Sequence, residues 1–188
     1  MVENKGKSKK ILTTIKRDMK FKILKIYWQG PYSIHECIQK FGDYKTDYGI
    51  YQIYGNHNVN GVDNLLYIGK SDQRPFQVRF IEHKNDWIDK ESSEVKIYLG
   101  RFYDIVFPDN VFPTNEQWSK YIDICEKMLI YHCQPSYNVR EKYLSPTFSD
   151  EEYILLNIGR RHRLPAEIST YFLNNFEILN HDNIWKYE

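Results

Sequence analysis

Six side chains that could carry acid–base or charge-stabilising chemistry follow one another along the chain: Tyr51, Tyr67, Arg79, His83, Glu126 and Asn138. Hydrolysis of a phosphodiester bond requires an activated water, donors that neutralise charge at phosphorus, and help for the leaving oxygen. Tyr, His, Arg and Glu side chains can supply these functions, and a hydrophobic core alone would not require them. The residue types therefore indicate a site for phosphodiester hydrolysis.

Arg79 and His83 are four residues apart, so a helix would place them on the same face. The guanidinium of Arg79 offers a planar fork of donors that suits two phosphate oxygens, and it stays charged. We therefore expect Arg79 to hold the scissile phosphate and His83 to move a proton or to assist Tyr51. The alternative is an ordinary surface pair of Arg and His.

Glu126 lies in an apolar segment, in line with Ile122 and Ile130 at a spacing of four residues. An ionised carboxylate on such a face is costly unless it is paired or bound to a cation. Mg²⁺ prefers oxygen ligands and needs only one or two carboxylates when phosphate and water complete its shell. Glu126 is therefore the predicted ligand for Mg²⁺ or Mn²⁺, the alternative being a surface Glu paired with Lys127.

Two three-residue motifs frame the predicted site: Gly49-Ile50-Tyr51 and Tyr67-Ile68-Gly69. Each lies in a run of β-branched and aromatic residues, and Asn60-Gly61 between them is a strong hairpin signal. A phenol has a pKa near 10, so Tyr51 is a poor base unless nearby cations lower that pKa. Because the chain contains 16 tyrosines, the alternative is that Tyr51 and Tyr67 only pack in the sheet.

Residues next to these motifs are predicted to contact the substrate. Gly49 and Gly69 have no side chain, which lets backbone or substrate approach closely. Lys70 directly follows the second motif and could contact the scissile phosphate, unless it is simply a solvated lysine. Asn138 could fix the position of Glu126 or of the substrate by hydrogen bonding, or it could form a turn after Pro135.

Local patterns predict strands at 48–54, 65–69 and 95–107, with a turn region at 55–64. Helices are predicted at 34–41, from Pro75 to about residue 90, and at 115–132, 150–157 and 165–180. Ser33 with Glu36 matches a capping box, and Thr114 is the expected cap of the helix that follows it. Residues 11–29 fit either a short helix or a strand.

The ordered series of motifs over residues 48–140 resembles the GIY-YIG nuclease superfamily. The segment from Glu126 through Gln134 to Val139 is especially similar to the excision-repair member of that family. The resemblance implies an α+β fold with a small three-stranded antiparallel sheet flanked by helices. It also implies hydrolysis of DNA with one divalent metal ion. By the same resemblance Tyr51 is the general base or the holder of the attacking water.

The domain prediction has three parts. Residues 1–44 are expected to form a basic N-terminal arm and helical extension, 45–142 the nuclease domain, and 143–188 a helical C-terminal extension packed on it. No further repair module is recognised, so a stand-alone endonuclease of restriction or defence type is expected. The alternatives are a non-catalytic nucleic-acid-binding module, or a repair or homing-type nuclease. Cutting both strands would suggest a homodimer, because one active site cuts one strand.

Composition places the chain among folded proteins and excludes a membrane span. Hydrophobic residues make up 41% and aromatic residues 16%, which favours a packed core over disorder. No apolar run approaches the roughly 20 residues that a membrane-spanning helix needs. Three widely spaced cysteines, with no paired metal-ligand spacing, fit reduced thiols and a cytoplasmic protein: Cys37, Cys125 and Cys133.

Positive charge is concentrated in two segments that could bind DNA phosphates. Residues 1–25 carry nine Lys and Arg against two acidic residues, whereas the whole chain has a net charge of only +1. A second basic cluster, the Arg160–Arg163 patch, lies near the C-terminus. For both segments the alternative is a solvated surface without a partner.

Overall fold

The computed structural model describes residues 21–103, 114–143 and 151–170. Its strands are β1 (Phe21–Tyr32), β2 (Gly49–His57), β3 (Gly61–Ser71), β4 (Lys96–Phe102), β5 (Glu152–Gly159) and β6 (Glu167–Ser169). Its helices are α1 (Ile34–Lys40), α2 (Phe76–Asp86) and α3 (Asn115–Cys133), and a short 3₁₀ helix covers Ile88–Lys90. Within the described residues, the strands form one sheet in the order β3-β2-β4-β1-β5-β6.

The α+β class agrees with the prediction, but the predicted small three-stranded antiparallel sheet is wrong. β2 does pair antiparallel with both β3 and β4. However, β4 also pairs with β1, β1 pairs in parallel with β5, and β5 pairs with β6. The free edge of β4 would expose unpaired backbone groups, and β1 satisfies them while β5 pairs with the far edge of β1. The sheet is therefore six-stranded and mixed.

The predicted helical extensions also need correction. The helix predicted at 150–157 is wrong, because these residues form most of β5, in which buried Tyr153, Leu155 and Asn157 alternate with more exposed positions. The helix predicted at 165–180 begins instead with β6. The rest of that helix, and the arm at residues 1–20, lie outside the described residues. The segment at 21–29 takes the strand alternative.

The hairpin that carries the two motifs is longer than expected. β2 continues to His57 and β3 begins at Gly61, so much of the predicted turn region is strand. Tyr51 pairs with Gly69 and Ile53 with Tyr67, but Tyr54 pairs with Leu65. Leu66 is thus an extra residue, a β-bulge that shifts the register of β3. Tyr67 lies opposite Ile53, two residues from Tyr51, and is therefore on the same face of the sheet as Tyr51.

Helices cover both faces of the sheet. On one face α3 packs over a core that includes Ile50, Tyr54 and Met128. On the other face α1 and α2 pack over a core that includes Tyr51, Ile53 and Phe80. Because side chains alternate along a strand, consecutive residues of the first motif serve different cores. Tyr51 therefore points towards α2.

The local helix signals are confirmed where the structure describes them. The capping box of α1 forms between Ser33 and Glu36. A second capping box forms between Thr114 and Gln117 at the start of α3. The helix predicted to reach residue 90 ends at Asp86 and continues as the 3₁₀ turn. These caps fix where α1 and α3 begin, and hence which side chains face the sheet.

Candidate active site

A buried hydrogen bond joins Tyr51 on β2 to His83 on α2. Tyr51 Oη lies 2.6 Å from His83 Nε2. Tyr51 is fully buried, and its ring also contacts the rings of Phe80 and Tyr67. The strand and the helix thus bring together two of the residues singled out in the sequence.

The position of the Tyr51 ring explains one glycine of the motifs. A Cβ at Gly69 would lie 2.4 Å from Tyr51 Oη, so the phenol occupies the space that any larger residue would need. Gly49 is required for another reason. It has a φ of +139°, and a Cβ there would meet Gly100 O on β4 at 2.3 Å. Both requirements arise from packing within the protein, so contact of these glycines with substrate stays a prediction.

Trp87 determines which nitrogen of His83 carries the hydrogen. The indole Nε1 of Trp87 lies 3.1 Å from His83 Nδ1. An indole N–H can only donate, so Nδ1 of His83 must accept. Burial, with a further effect of the Arg79 charge, lowers the pKa of His83 to about 4. The ring is therefore neutral at pH 7, its hydrogen is on Nε2, and this N–H donates to Tyr51 Oη.

Tyr51 is a neutral phenol in the free protein. Burial raises its pKa well above the usual value, and the neighbouring Arg79 guanidinium opposes that shift without reversing it. Nearby cations were expected to lower this pKa, but the effect of burial outweighs that of the Arg79 cation. Since His83 donates to Oη, the hydroxyl hydrogen of Tyr51 points away from His83.

Arg79 lies on α2 with one end of its guanidinium paired and the other directed inward. Its Nη1 is 2.5 Å from Glu82 Oε2, in a contact between residues three positions apart. Its Nε is buried and has no hydrogen-bond partner among the described residues. A buried donor without a partner is costly, and the inward part of this side chain also interacts with Tyr51. The guanidinium side chain remains 21% exposed, which leaves it accessible to a ligand.

Glu126 of α3 lies opposite the end of β3 and is held by Lys70. Lys70 Nζ is 3.1 Å from Glu126 Oε2 and 2.5 Å from Asp123 Oδ1. The Glu126 side chain is only 17% exposed. Burial raises its pKa, while the charges of Lys70 and Arg79 act in the opposite direction. Lys70 is thus engaged with two carboxylates of α3.

Asn138 binds the outer edge of β3. Its Oδ1 accepts from Ile68 N and its Nδ2 donates to Ile68 O, each at 2.9 Å. The preceding residues continue this contact, because the N–H groups of Ser136 and Tyr137 donate to backbone oxygens of β3. β3 is an edge strand of the described sheet, so the segment after α3 completes its hydrogen bonding. Asn138 thereby fixes the second motif.

The Arg160–Arg163 patch contacts the sheet and the hairpin. Arg160 donates to Gly30 O at 3.0 Å, and Arg161 donates to Leu164 O. His162 and Arg163 both contact Asp63 of β3, at 3.0 and 3.1 Å. These contacts tie the segment after β5 to the hairpin. Binding of DNA phosphates by the patch stays a prediction.

The donors present suit a single hard cation bound by few protein ligands. No group of three or more His, Cys, Asp and Glu side chains that could hold a metal occurs in residues 21–103, 114–143 and 151–170. Glu126 and Asp123 are carboxylates about one turn apart on α3, and Glu126 interacts electrostatically with Tyr51 and Arg79. One or two carboxylates with water and a substrate phosphate are an ordinary Mg²⁺ arrangement. The residues therefore fit the predicted ion with Glu126 as its ligand.

Sequence reasoning missed Trp87, Asp123 and Glu82. Trp87 is four residues after His83, and Asp123 is three before Glu126, so helical spacing was a signal available for both. Glu82, which binds Arg79, also pairs with Arg74 Nη1 at 2.7 Å. These residues hold the site side chains in place.

Comparisons of the chain with protein families, with curated proteins and with solved structures gave no match. The resemblance to the GIY-YIG superfamily thus rests on the motifs of the chain itself. In the described part of the chain, no helix is long and apolar enough to cross a membrane.

Proposed function

We propose that this chain is a divalent-metal-dependent DNA endonuclease of restriction or defence type that resembles the GIY-YIG nucleases. The observation that carries the proposal is the buried Tyr51–His83 hydrogen bond, whose phenol is acted on by both Arg79 and Glu126. These residues come from β2, α2 and α3. A core does not require a guanidinium and a carboxylate beside a buried phenol, whereas phosphodiester hydrolysis does.

Tyr51 orients the attacking water in the proposed reaction. The His83 N–H and the Arg79 side chain both bond Oη, so the hydroxyl hydrogen of Tyr51 is the group left to bond the attacking water. The His83 N–H and the Arg79 charge both favour the ionised phenol, which offsets part of the effect of burial. Loss of the Tyr51 proton as pH rises then makes Oη a stronger acceptor for the water proton.

Arg79 and Glu126 stabilise the negative charge of the phosphate in the proposed reaction, Arg79 directly and Glu126 through a bound metal ion. The exposed edge of the Arg79 guanidinium donates to the phosphate oxygens as negative charge develops there. Glu126, with Asp123 near it, would hold one Mg²⁺ or Mn²⁺ that neutralises phosphate charge when bound. Lys70 favours the ionised form of the two carboxylates in the absence of that cation. Cutting both strands at one site would take a homodimer.

Substitution of Arg79 tests the proposal against a matched arginine. Arg74 and Arg79 both pair with Glu82, but only Arg79 acts on Tyr51. In a plasmid-nicking assay with Mg²⁺ or Mn²⁺, Arg79→Ala should cut about 10²-fold more slowly than wild type, as when one charge-stabilising donor is lost. Arg74→Ala should cut at nearly the wild-type rate.

Two results would count against the endonuclease. Wild-type protein that binds DNA but never nicks it, over several metals and both single- and double-stranded substrates, would be a non-catalytic binding module. Equal loss of cleavage in Arg74→Ala and Arg79→Ala would instead indicate that the loss comes from Glu82, the partner that both arginines share.

Trp87→Phe is expected to change the tautomer of His83. Without the indole donor, the ring hydrogen can move to Nδ1, and Nε2 then accepts from Tyr51 instead of donating to it. Cleavage should fall by roughly 10- to 100-fold, as for other residues that orient a functional group through a hydrogen bond. Nitrogen chemical shifts of His83, measured by NMR at neutral pH, report the tautomer directly. An unchanged tautomer in Trp87→Phe would show that Tyr51, and not Trp87, sets it.

A further inference from the structure

A cleft of about 560 Å³ opens next to the proposed active site, between the loop before β2, the turn after β3 and the start of α3. Its walls combine aromatic rings with polar side chains, mainly Tyr44, Tyr48, Trp118, Gln73, Asn115 and Lys45. Tyr44 is 68% exposed, so its ring is accessible to a ligand. The composition is that of a binding cleft with flat apolar surfaces and a few hydrogen-bonding groups.

The walls of the cleft are held by charged and backbone contacts. Arg101 of β4 binds Asp47 Oδ1 at 2.8 Å and Thr46 O at 3.0 Å, which fixes the loop that presents Tyr44. On the other side, Ser71 Oγ donates to Arg74 O at 2.7 Å and closes the turn after β3. A cleft held at both walls is formed before a ligand arrives, which lowers the entropic cost of binding.

The cleft and the proposed active site lie along the same pair of elements, β3 and α3. Lys70 pairs with Asp123, and two residues further along, Asp72 pairs with Ser119 Oγ at 2.9 Å. Asp72 and Ser119 both line the cleft. Ser119 and Asp123 are four positions apart on α3, which corresponds to a rise of about 6 Å. A nucleotide next to the scissile phosphate would therefore reach the cleft.

From this geometry we propose that the cleft binds an unstacked nucleobase of the DNA strand that is cut, next to the scissile phosphate. The proposal rests on the endonuclease function for the identity of the strand. A base still paired in a duplex does not fit a concave site, so the base must be extruded or come from single-stranded DNA. Tyr44 offers a face for stacking, and the amides of Gln73 and Asn115 can bond the base edge.

Photo-cross-linking tests where the base lies. The probe is a mixed-sequence single-stranded oligonucleotide that carries 5-iododeoxyuridine, bound to the full chain with Glu126→Gln so that the strand stays intact. The proposal expects cross-links, mapped by mass spectrometry, to Tyr44, Tyr48 or Trp118. Cross-links confined to other aromatic residues would overturn it.

Affinity of the same oligonucleotide tests the stacking. Tyr44→Ala should weaken binding by about 10-fold, within the range for loss of one base–aromatic stack, and Tyr44→Phe should restore it. Tyr143→Ala is the matched control, because Tyr143 is also highly exposed but does not line the cleft. Equal affinity of Tyr44→Ala and Tyr143→Ala would refute the stacking role.

Failure of this proposal is distinguishable from failure of the endonuclease function. If wild type nicks plasmid DNA but neither the cross-links nor the Tyr44 effect occurs, the cleft does not bind a base and the endonuclease stands. If both occur and no condition gives nicking, base binding stands and the chain is a binding module.

Discussion

Glu126→Gln is expected to reduce DNA cleavage by roughly 10⁴-fold, since it removes the only carboxylate predicted to bind the metal directly. The glutamine keeps the shape of the side chain and its ability to accept from Lys70 Nζ, which lies 3.1 Å from Glu126 Oε2. It loses the negative charge that would hold a divalent cation. The measurement is single-turnover cleavage of plasmid DNA over a series of Mg²⁺ and Mn²⁺ concentrations.

The matched control is Glu116→Gln. Glu116 lies in the first turn of the same helix, and it is exposed. Its substitution should leave cleavage within about twofold of wild type, as for an ordinary surface position. Cleavage by Glu126→Gln at the wild-type rate would remove Glu126 from the active site. A loss that high metal concentration restores would show that Asp123 can hold the cation without it.

The pH dependence of the free energy of unfolding shows whether Glu126→Gln still folds, independently of its cleavage activity. Burial raises the pKa of Glu126 in the folded protein, against the opposing charges of Lys70 and Arg79. The folded state then binds this proton more tightly than the unfolded state. The stabilising contribution is therefore complete below the unfolded pKa of about 4, and it is lost as pH rises through the higher folded pKa. Glu126→Gln lacks this loss, so relative to wild type its free energy of unfolding should rise between acid and neutral pH.

Local signals in the sequence were sufficient for the elements that frame the site. The capping boxes at Ser33 and Thr114 fix the starts of α1 and α3. The turn residues before Gly61 correctly indicated a hairpin. Each of these signals depends on residues a few positions apart, so a single sequence contains them.

The remaining strands depend on pairings that no local pattern specifies. β5 reads equally well as a short amphipathic helix, because short apolar runs do not separate the two periods. Its strand form is selected by parallel pairing with β1, and by the hydrogen bond from Trp28 Nε1 to Asn157 Oδ1 at 2.9 Å. These residues are 129 positions apart. The six-stranded sheet was unpredictable for this reason.

In the candidate site, too, the spacing of residues could be predicted from the sequence, whereas properties that depend on the surroundings could not. The spacing of Arg79 and His83 predicted a shared helix face, and both side chains do act on Tyr51. The direction of the Tyr51 pKa could not be predicted, because it depends on how completely the phenol is buried. The role of Asn138 on the edge of β3 likewise depends on where the chain goes after α3.

Tyr51→Phe is expected to slow cleavage by about 10³-fold and to flatten its pH dependence. Burial raises the pKa of Tyr51, so little of the phenol is ionised at neutral pH. The wild-type rate should therefore climb as pH rises above 7, with the ionised fraction of Tyr51. Phenylalanine keeps the ring against Phe80 but has no atom to hold or deprotonate water. Single-turnover rates of both proteins across this pH range provide the measurement.

Tyr54→Phe is the matched control for the loss of a buried tyrosine hydroxyl. Tyr54 is also fully buried on β2, but it faces the opposite core and donates to Gln52 Oε1 at 2.9 Å. Its substitution should cost stability, about 1 kcal/mol for a buried hydrogen bond, and leave the pH profile of cleavage unchanged. An equal rise with pH in wild type and Tyr51→Phe would assign the titration to another group, such as water on the metal. Tyr51 would then only position the water, and the rate should still fall, because phenylalanine has no Oη to hold that water.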